Sequence, residues 1–297
     1  MSRHATTDPA RICVTNAKGG TGKTTVAINV AGALNDRGRD VLFVDLDPQG
    51  NATEGLGLTD AYDAQPPTLF DALTRDPSLL GDLVVEHEEM DVIPSSIDML
   101  QAEHELTIAD LIARIRTQDH GVDPAALAGF ALNVTPETVT GDHALDTLDR
   151  ALSTVSGYDY VIIDSPPFYG KLTDTGVFAA GHILIPALAE ATSERAIELL
   201  MDQMAAMERQ TGTTVGTLGV VANRIETTSE DEMMLEWFDA AFPDSPVWEV
   251  RKRVALQRAY TEGKSIFATD ERCDMAEVFS DVAATFDEQF GYTEVTA

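Results

Sequence analysis

The sequence predicts an α/β fold: a twisted, mainly parallel sheet of about seven or eight strands with helices on both faces. Three observations carry that reading. Apolar, β-branched runs alternate with helical patterns along the chain. The first run is followed by a glycine-rich loop bearing two lysines and then by a helix. Two later runs each end in aspartate.

The elements follow in order. Arg11-Ile12-Cys13-Val14-Thr15 reads as a short buried strand. Asn16-Ala17-Lys18-Gly19-Gly20-Thr21-Gly22-Lys23-Thr24-Thr25 follows it. Thr24 to Arg37 then reads as a helix with Val26, Ala27, Val30, Ala31 and Leu34 on one face. Gly38 is placed to end that helix in a left-handed cap. A strand, a glycine turn and a helix N-terminus make a phosphate cradle. Glycines admit backbone N–H groups to the phosphates, and the helix end adds positive potential. In such a loop Lys23 reaches the β- and γ-phosphates and the Thr24 hydroxyl holds Mg²⁺. Gly19, Gly20, Thr21, Gly22 and Thr25 complete the nucleotide-binding segment, with Ala17 standing where the usual pattern has its first glycine.

Val41-Leu42-Phe43-Val44 is a second strand and runs into Asp45-Leu46-Asp47-Pro48-Gln49-Gly50-Asn51. Tyr160-Val161-Ile162-Ile163 is another, ending in Asp164-Ser165-Pro166-Pro167. Ligands of open α/β sheets bind outside the carboxyl ends of the strands. The loop and the three carboxylates Asp45, Asp47 and Asp164 are therefore expected at one site.

With these segments the chain resembles the ParA/Soj/MinD family of deviant Walker ATPases, and most closely its ParA type. The resemblance rests on Lys18 to Thr25, Asp45 to Thr53 and Tyr160 to Pro167, and is extended by Ile183-Leu184-Ile185-Pro186 and Gly263-Lys264-Ser265-Ile266. It implies an ATP-driven dimer in which Lys18 crosses to the partner's phosphates while Lys23 and Thr24 act in cis. Asp45 and Asp164 would lie in or near the Mg²⁺ shell, and Asp47 would position or activate the attacking water. This is phosphoryl transfer by positioning and charge neutralisation. Asn223, after Gly219-Val220-Val221-Ala222, matches an asparagine that reads adenine in several members; it reads equally as a polar residue at the end of a strand.

Composition bounds the rest. The 297 residues carry 50 acidic and 20 basic side chains, a formal net charge of −30. An apolar content of 44% argues against disorder. One α/β domain is expected over 10–291, with short tails at 1–9 and 292–297. The Gly-, Pro- and Thr-containing stretch 118–142 reads as an insertion with a short helix at Ala125 to Phe130, between a helix near Thr107 to Thr117 and one near His143 to Ser156. No run of about 18 apolar residues offers a membrane span, and the polar N-terminus lacks a signal core. Cys13 and Cys273 have no metal spacing and fit a reducing cytoplasm. Five lysines face fifteen arginines. This acid-rich, lysine-poor surface resembles that of salt-in halophiles and implies a haloarchaeal cytoplasm; an ordinary acidic protein is the alternative.

Against that background Arg251, Lys252, Arg253, Arg258 and Lys264 stand out, with Glu262 the one acid among them in sequence. In the resembled family such a cluster forms a nonspecific DNA surface. Ala255 stands where Soj-like members carry arginine, and local pairing with Glu249 and Glu262 is the alternative. Ile197, Leu200, Met201, Met204 and Met207 read as a core stripe after an N-cap region at Thr192-Ser193. Met275, Val278, Phe279, Val282 and Phe286, with acidic flanks, also read as core and not as a membrane-binding face.

The implied partners are a second copy with ATP, nonspecific duplex DNA and a ParB-like or other DNA-bound activator, with no membrane. The implied function is an Mg²⁺-dependent ATPase switch that segregates or positions plasmid or chromosomal DNA on the nucleoid. A same-family ATPase that positions a protein cargo or acts in regulation is the first alternative. A metabolic ATP-dependent ligase on the same scaffold is the second.

Overall fold

The apolar runs pair into one eight-stranded sheet in the computed structural model, which describes residues 8–117, 121–141, 143–167 and 169–292. Most of the expected tails (1–7 and 293–297), and 118–120 and 142 of the expected insertion, lie outside the described residues. The strands are β1 (Ala10–Val14), β2 (Val41–Asp45), β3 (Val85–Glu86), β4 (Asp91–Ile93), β5 (Tyr160–Asp164), β6 (His182–Leu188), β7 (Gly216–Ile225) and β8 (Val247–Arg251). Their order is β3-β4-β2-β5-β1-β6-β7-β8. Neighbours run parallel except β3 and β4. The seven or eight strands expected, mainly parallel, are thus present. Strands buried on both faces need continuous apolar runs, and β2 and β5 are buried at every residue.

Register decides where the site falls. Asp164 pairs with Val14 on one side and with Asp45 on the other. The ends of β1, β2 and β5 are therefore level, and the loops that leave them start side by side.

The helices are α1 (Lys23–Asp36), α2 (Asn51–Gly55), α3 (Thr59–Tyr62), α4 (Leu69–Thr74), α5 (Ala102–Thr117), α6 (Pro124–Ala128), α7 (Thr147–Leu152), α8 (Lys171–Ala180), α9 (Ala191–Thr211), α10 (Ser229–Ala241), α11 (Val254–Thr261) and α12 (Met275–Phe290). Strand alternation sorts them into two layers. Cys13, Val44 and Ile163 face a core shared with α4, α5, α7, α8, α9 and α10. Ile12, Phe43 and Ile162 face the other, shared with α1, α11 and α12. Phe279 and Phe286 of α12 are fully buried there, and burying one such side chain is worth about 1.5–3 kcal/mol.

The acidic end of α12 also reaches into the core. Asp287, 2% exposed, accepts from Arg37 Nε at 2.8 Å, Arg39 Nε at 2.9 Å and the Tyr160 hydroxyl at 3.0 Å. One carboxylate thereby joins α12, the turn after α1 and the start of β5.

Several local expectations shift. The helix expected near Thr107 to Thr117 begins at Ala102, because Ala102 and Leu106 already face the core. The one expected from His143 to Ser156 shortens to a 3₁₀ turn at Ala144–Asp146 and then α7. α9 is capped at Glu190, ahead of Thr192-Ser193. Ile197, Leu200, Met204 and Met207 are buried, but Met201 is 39% exposed and leaves the stripe. The short helix in the insertion is α6, two residues short of Phe130, with Asp123 accepting from Ala125 N and Pro124 at its first position. Beyond it, Glu105 of α5 accepts three backbone N–H groups, from Leu132, Asn133 and Val134. Val134 and Val139 then pack on Ile108 and Ile112. Among the described residues no helix is long and apolar enough to cross a membrane.

Candidate functional site

The glycine loop is tied down at its entry. Asn16 donates from Nδ2 to Pro186 O at 2.7 Å and accepts from Lys18 N at 3.0 Å, so one side chain fixes the loop to β6 and sets its first turn. The chain then enters α1 at Lys23. Lys23 is 6% exposed and its ammonium donates to Lys18 O at 3.4 Å, beneath the loop. Burial lowers its pKa, while Asp164 and Asp47 oppose that shift.

Thr24 Oγ1 donates to Asp164 Oδ2 at 2.7 Å. Asp164 is fully buried, and burial together with nearby Asp45 holds its carboxyl well above the usual range. Its other oxygen, Oδ1, is buried with no hydrogen-bond partner. Such an orphaned acceptor beside a lysine and a hydroxyl is the kind of group a cation satisfies. Among the described residues no three His, Cys, Asp or Glu side chains gather as a ready metal site. Mg²⁺ at a triphosphate does not need three, since it binds through one or two protein oxygens, phosphates and water. Thr24 and Asp164 fit that pattern.

Asp45 is also fully buried, and burial pushes its carboxyl up to about 7. Both its oxygens are engaged: Oδ1 accepts from Asp47 N at 3.1 Å, and Oδ2 from Thr53 N at 2.8 Å and Thr53 Oγ1 at 2.7 Å. Asp45 therefore organises the loop after β2 and stands behind the Thr24–Asp164 pair. Asp47 is 4% exposed; burial raises its carboxyl, and Oδ1 accepts from Gln49 N at 2.9 Å. Ser95, just past β4, donates to Asp47 O at 2.7 Å and from its backbone to Thr53 Oγ1 at 2.9 Å. Thr53 and Ser95 are not among the site residues expected from the sequence. Thr53 lies in the segment that carries the resemblance, but nothing local marks Ser95.

Lys18 points elsewhere. Its ammonium donates to Glu190 Oε2 and to Thr192 Oγ1, each at 2.6 Å, at the head of α9. Glu190 is exposed, and the lysine holds its carboxyl below the usual range. Asn223, 5% exposed, donates to Thr21 O at 2.8 Å and accepts from Arg224 N at 2.9 Å. Its amide lies so close to Gly22 that a Cβ there would overlap it. In this structure Asn223 braces the glycine loop.

The late basic residues run from the end of β8 (Arg251) through the link to α11 (Lys252, Arg253) and α11 itself (Arg258) to the turn after it (Lys264). Four of the five are paired: Lys252 with Glu226 at 3.2 Å, Arg253 with Asp274 at 2.6 Å, Arg258 with Glu271 at 2.9 Å and Lys264 with Glu88 at 3.0 Å. The acids are not the sequence neighbours Glu249 and Glu262. They are brought in from other parts of the chain, which spacing alone does not reveal.

A family profile of AAA domains (AAA_31) matches residues 10–119 and 126–216. The sporulation initiation inhibitor protein Soj of Bacillus subtilis is 31% identical over 276 residues, 92% of this chain and 96% of Soj. The chain belongs to the ParA/Soj family of P-loop ATPases. A second relative of this ParA/Soj-family chain, the chromosome partitioning protein ParA of Caulobacter vibrioides, is 28% identical over 93% of each chain. Its fold is also that of a Cyanothece McdA variant in complex with ATP, with a TM-score of 0.72 and 21% identity over 97% of this chain and 99% of McdA. The cobyrinic acid a,c-diamide synthase of Mycobacterium smegmatis with bound ATP analogue and magnesium shares the fold as well, with a TM-score of 0.68 and 22% identity over 96% of this chain and 97% of that one.

Proposed function

We propose that this ParA/Soj-family ATPase is a cytoplasmic, ATP-driven dimerisation switch. Its ATP-bound dimer binds duplex DNA nonspecifically and hydrolyses ATP when a DNA-bound partner protein stimulates it. Cycles of release and rebinding then segregate or position plasmid or chromosomal DNA. The observation that carries the reading is the division of labour between two lysines of one loop. Lys23 is buried in the cradle, whereas Lys18 sits at its rim on an exposed acid. An ammonium held at the rim by an exposed carboxylate can turn to a second nucleotide, whereas the buried one serves its own cradle.

In this reading Lys23 and the backbone of Gly19 to Thr25 hold the triphosphate. Thr24 and Asp164 hold Mg²⁺, which supplies charge neutralisation at the phosphates, and Asp45 acts on it through the loop. Asp47 holds the attacking water, and Lys18 leaves Glu190 to meet the partner subunit's nucleotide. Asn223, released from Thr21, is the candidate for the adenine. Arg251, Lys252, Arg253, Arg258 and Lys264 contact phosphates. Their ion pairs are no bar, because surface pairs are each worth about 0–1 kcal/mol.

The test is duplex binding by Asp47→Ala with ATP and with ADP across a KCl series. Sequence-independent binding with ATP alone supports the reading. A second reading, a positioning ATPase with a protein cargo, is favoured by the pairing of four of the five basic side chains with acids on a chain of net charge −30. It predicts ATP-dependent dimers that ignore DNA at every salt.

A further inference from the structure

The nucleotide-facing loop and the basic surface meet at Tyr260. Its hydroxyl donates to Asn51 O at 2.7 Å, at the first residue of α2. Its ring lies on Gly55, where a Cβ would overlap it. A few residues on, Gly263 stands so close to Gly57 that a Cβ on Gly263 would be 3.1 Å from Gly57 Cα. The turn is pinned from behind as well: Ser265 N donates to buried Glu89 at 2.9 Å, Ile266 N to Asn29 Oδ1 of α1 at 2.9 Å, and His87 Nε2 lies 3.0 Å from Gly263 O.

The loop side is equally fixed. Asp47 accepts from Gln49 N through its side chain and from Gly50 N through its carbonyl, each at 2.9 Å, and Asp45 holds Thr53. The loop from Asp47 to Gly57 therefore has little freedom to move alone. A displacement at Asp47 would pass along α2 to Asn51 and Gly55, which touch the Tyr260 hydroxyl and ring. Tyr260 lies in α11, whose N-cap is Arg253 and whose last turn holds Arg258, with Lys264 just beyond.

We propose that Tyr260 is a positioning residue that couples the Asp45–Gly57 loop to α11, so that the nucleotide state of the cradle sets the placement of the basic surface. The inference rests on the nucleotide-switch reading and adds the route by which the site reaches that surface. It needs no contact between Tyr260 and nucleotide. Two groups on one rigid body respond together when a third element biases its position.

Backbone hydrogen exchange of the full chain with Mg²⁺ and ATP, and with Mg²⁺ and ADP, tests this on the wild type and on Tyr260→Phe, which keeps the ring and removes the hydroxyl. In the wild type, exchange across residues 254–264 differs between the two nucleotides. In Tyr260→Phe that difference falls at least threefold, while ATP protection of residues 18–25 and the melting temperature stay as in the wild type. Gly55→Ala, which displaces the ring from the loop side, loses the same response. The proposal is overturned if residues 254–264 exchange alike with ATP and ADP in the wild type, or if Tyr260→Phe and Gly55→Ala keep the full difference. Duplex binding is measured on the same samples. A wild type that shows the exchange difference yet binds no DNA keeps the coupling and removes the DNA reading alone.

Discussion

Lys18 Nζ lies 2.6 Å from Glu190 Oε2, an ion pair between residues 172 apart in sequence. A lysine that serves a partner's nucleotide must give up this contact. Glu190 is exposed, and an exposed pair costs little to open. Lys18→Ala is expected to bind ATP within about threefold of the wild type but to lose at least ~10-fold in turnover, since charge supplied across an interface acts on the transition state. Equilibrium nucleotide binding set beside steady-state hydrolysis over a protein-concentration series checks both halves. Unchanged turnover would remove the trans assignment.

Asp287 is the counter-charge for Arg39, which is itself 6% exposed, and also accepts from Arg37 and Tyr160. Asp287→Ala deletes a carboxylate from a buried ion pair. The expected loss is about 3–5 kcal/mol of stability, read as a lower urea midpoint. A loss under about 1 kcal/mol would mean that water reaches the arginines and the site is not buried in solution.

Asp174 of α8 accepts from Gln203 of α9. Burial raises its carboxyl pKa, with the Gln203 bond and Lys171 opposing. A carboxyl raised in the folded state contributes stability that is present below its unfolded value and is lost as pH rises through its folded value. Asp174→Asn, which keeps the neutral form at every pH, is expected to raise the melting temperature at pH 7–8 and to leave it unchanged near pH 4. Melting curves of both proteins across that range decide the sign. An asparagine variant less stable at pH 8 than the wild type would contradict it.

The net charge of −30 makes stability depend on salt. At about 1 M salt the screening length falls to ~3 Å, which removes most repulsion between surface carboxylates. The melting temperature is expected to rise by several degrees from low to molar KCl. A melt that stayed flat over that range would mean that repulsion among the surface carboxylates contributes little to the folding balance.

What could be read from sequence follows a physical division. The glycine loop, the ends of β1, β2 and β5, and the buried faces of α1 and α12 are encoded within short windows, because cradle geometry and helical period are local. Asp164 can be placed beside Asp45 from strand ends alone, since parallel strands present their carboxyl ends at one edge. Glu190 beside Lys18, Ser95 behind Asp47 and Asp274 on Arg253 depend on how distant segments dock, and no local period signals them. Met201 left the stripe because the 3.6-residue period carries it off a face that only Ile197, Leu200, Met204 and Met207 share. The start of α5 was missed for a related reason: Ala102 is fixed by its neighbours in space, not by a cap in the chain.

The carboxylates that hold Lys252, Arg253, Arg258 and Lys264 give this surface the character of an ion exchanger. A bare lysine patch that meets a polyphosphate frees one condensed cation for each contact, and its affinity falls steeply as salt is added. Here each phosphate would first displace a carboxylate, and each displaced carboxylate would gather a cation from solution. The two movements of ions oppose one another. Any polyanion that docks on α11 is therefore expected to show a shallower plot of log affinity against log salt than its count of basic contacts implies, and Glu271→Gln should steepen it.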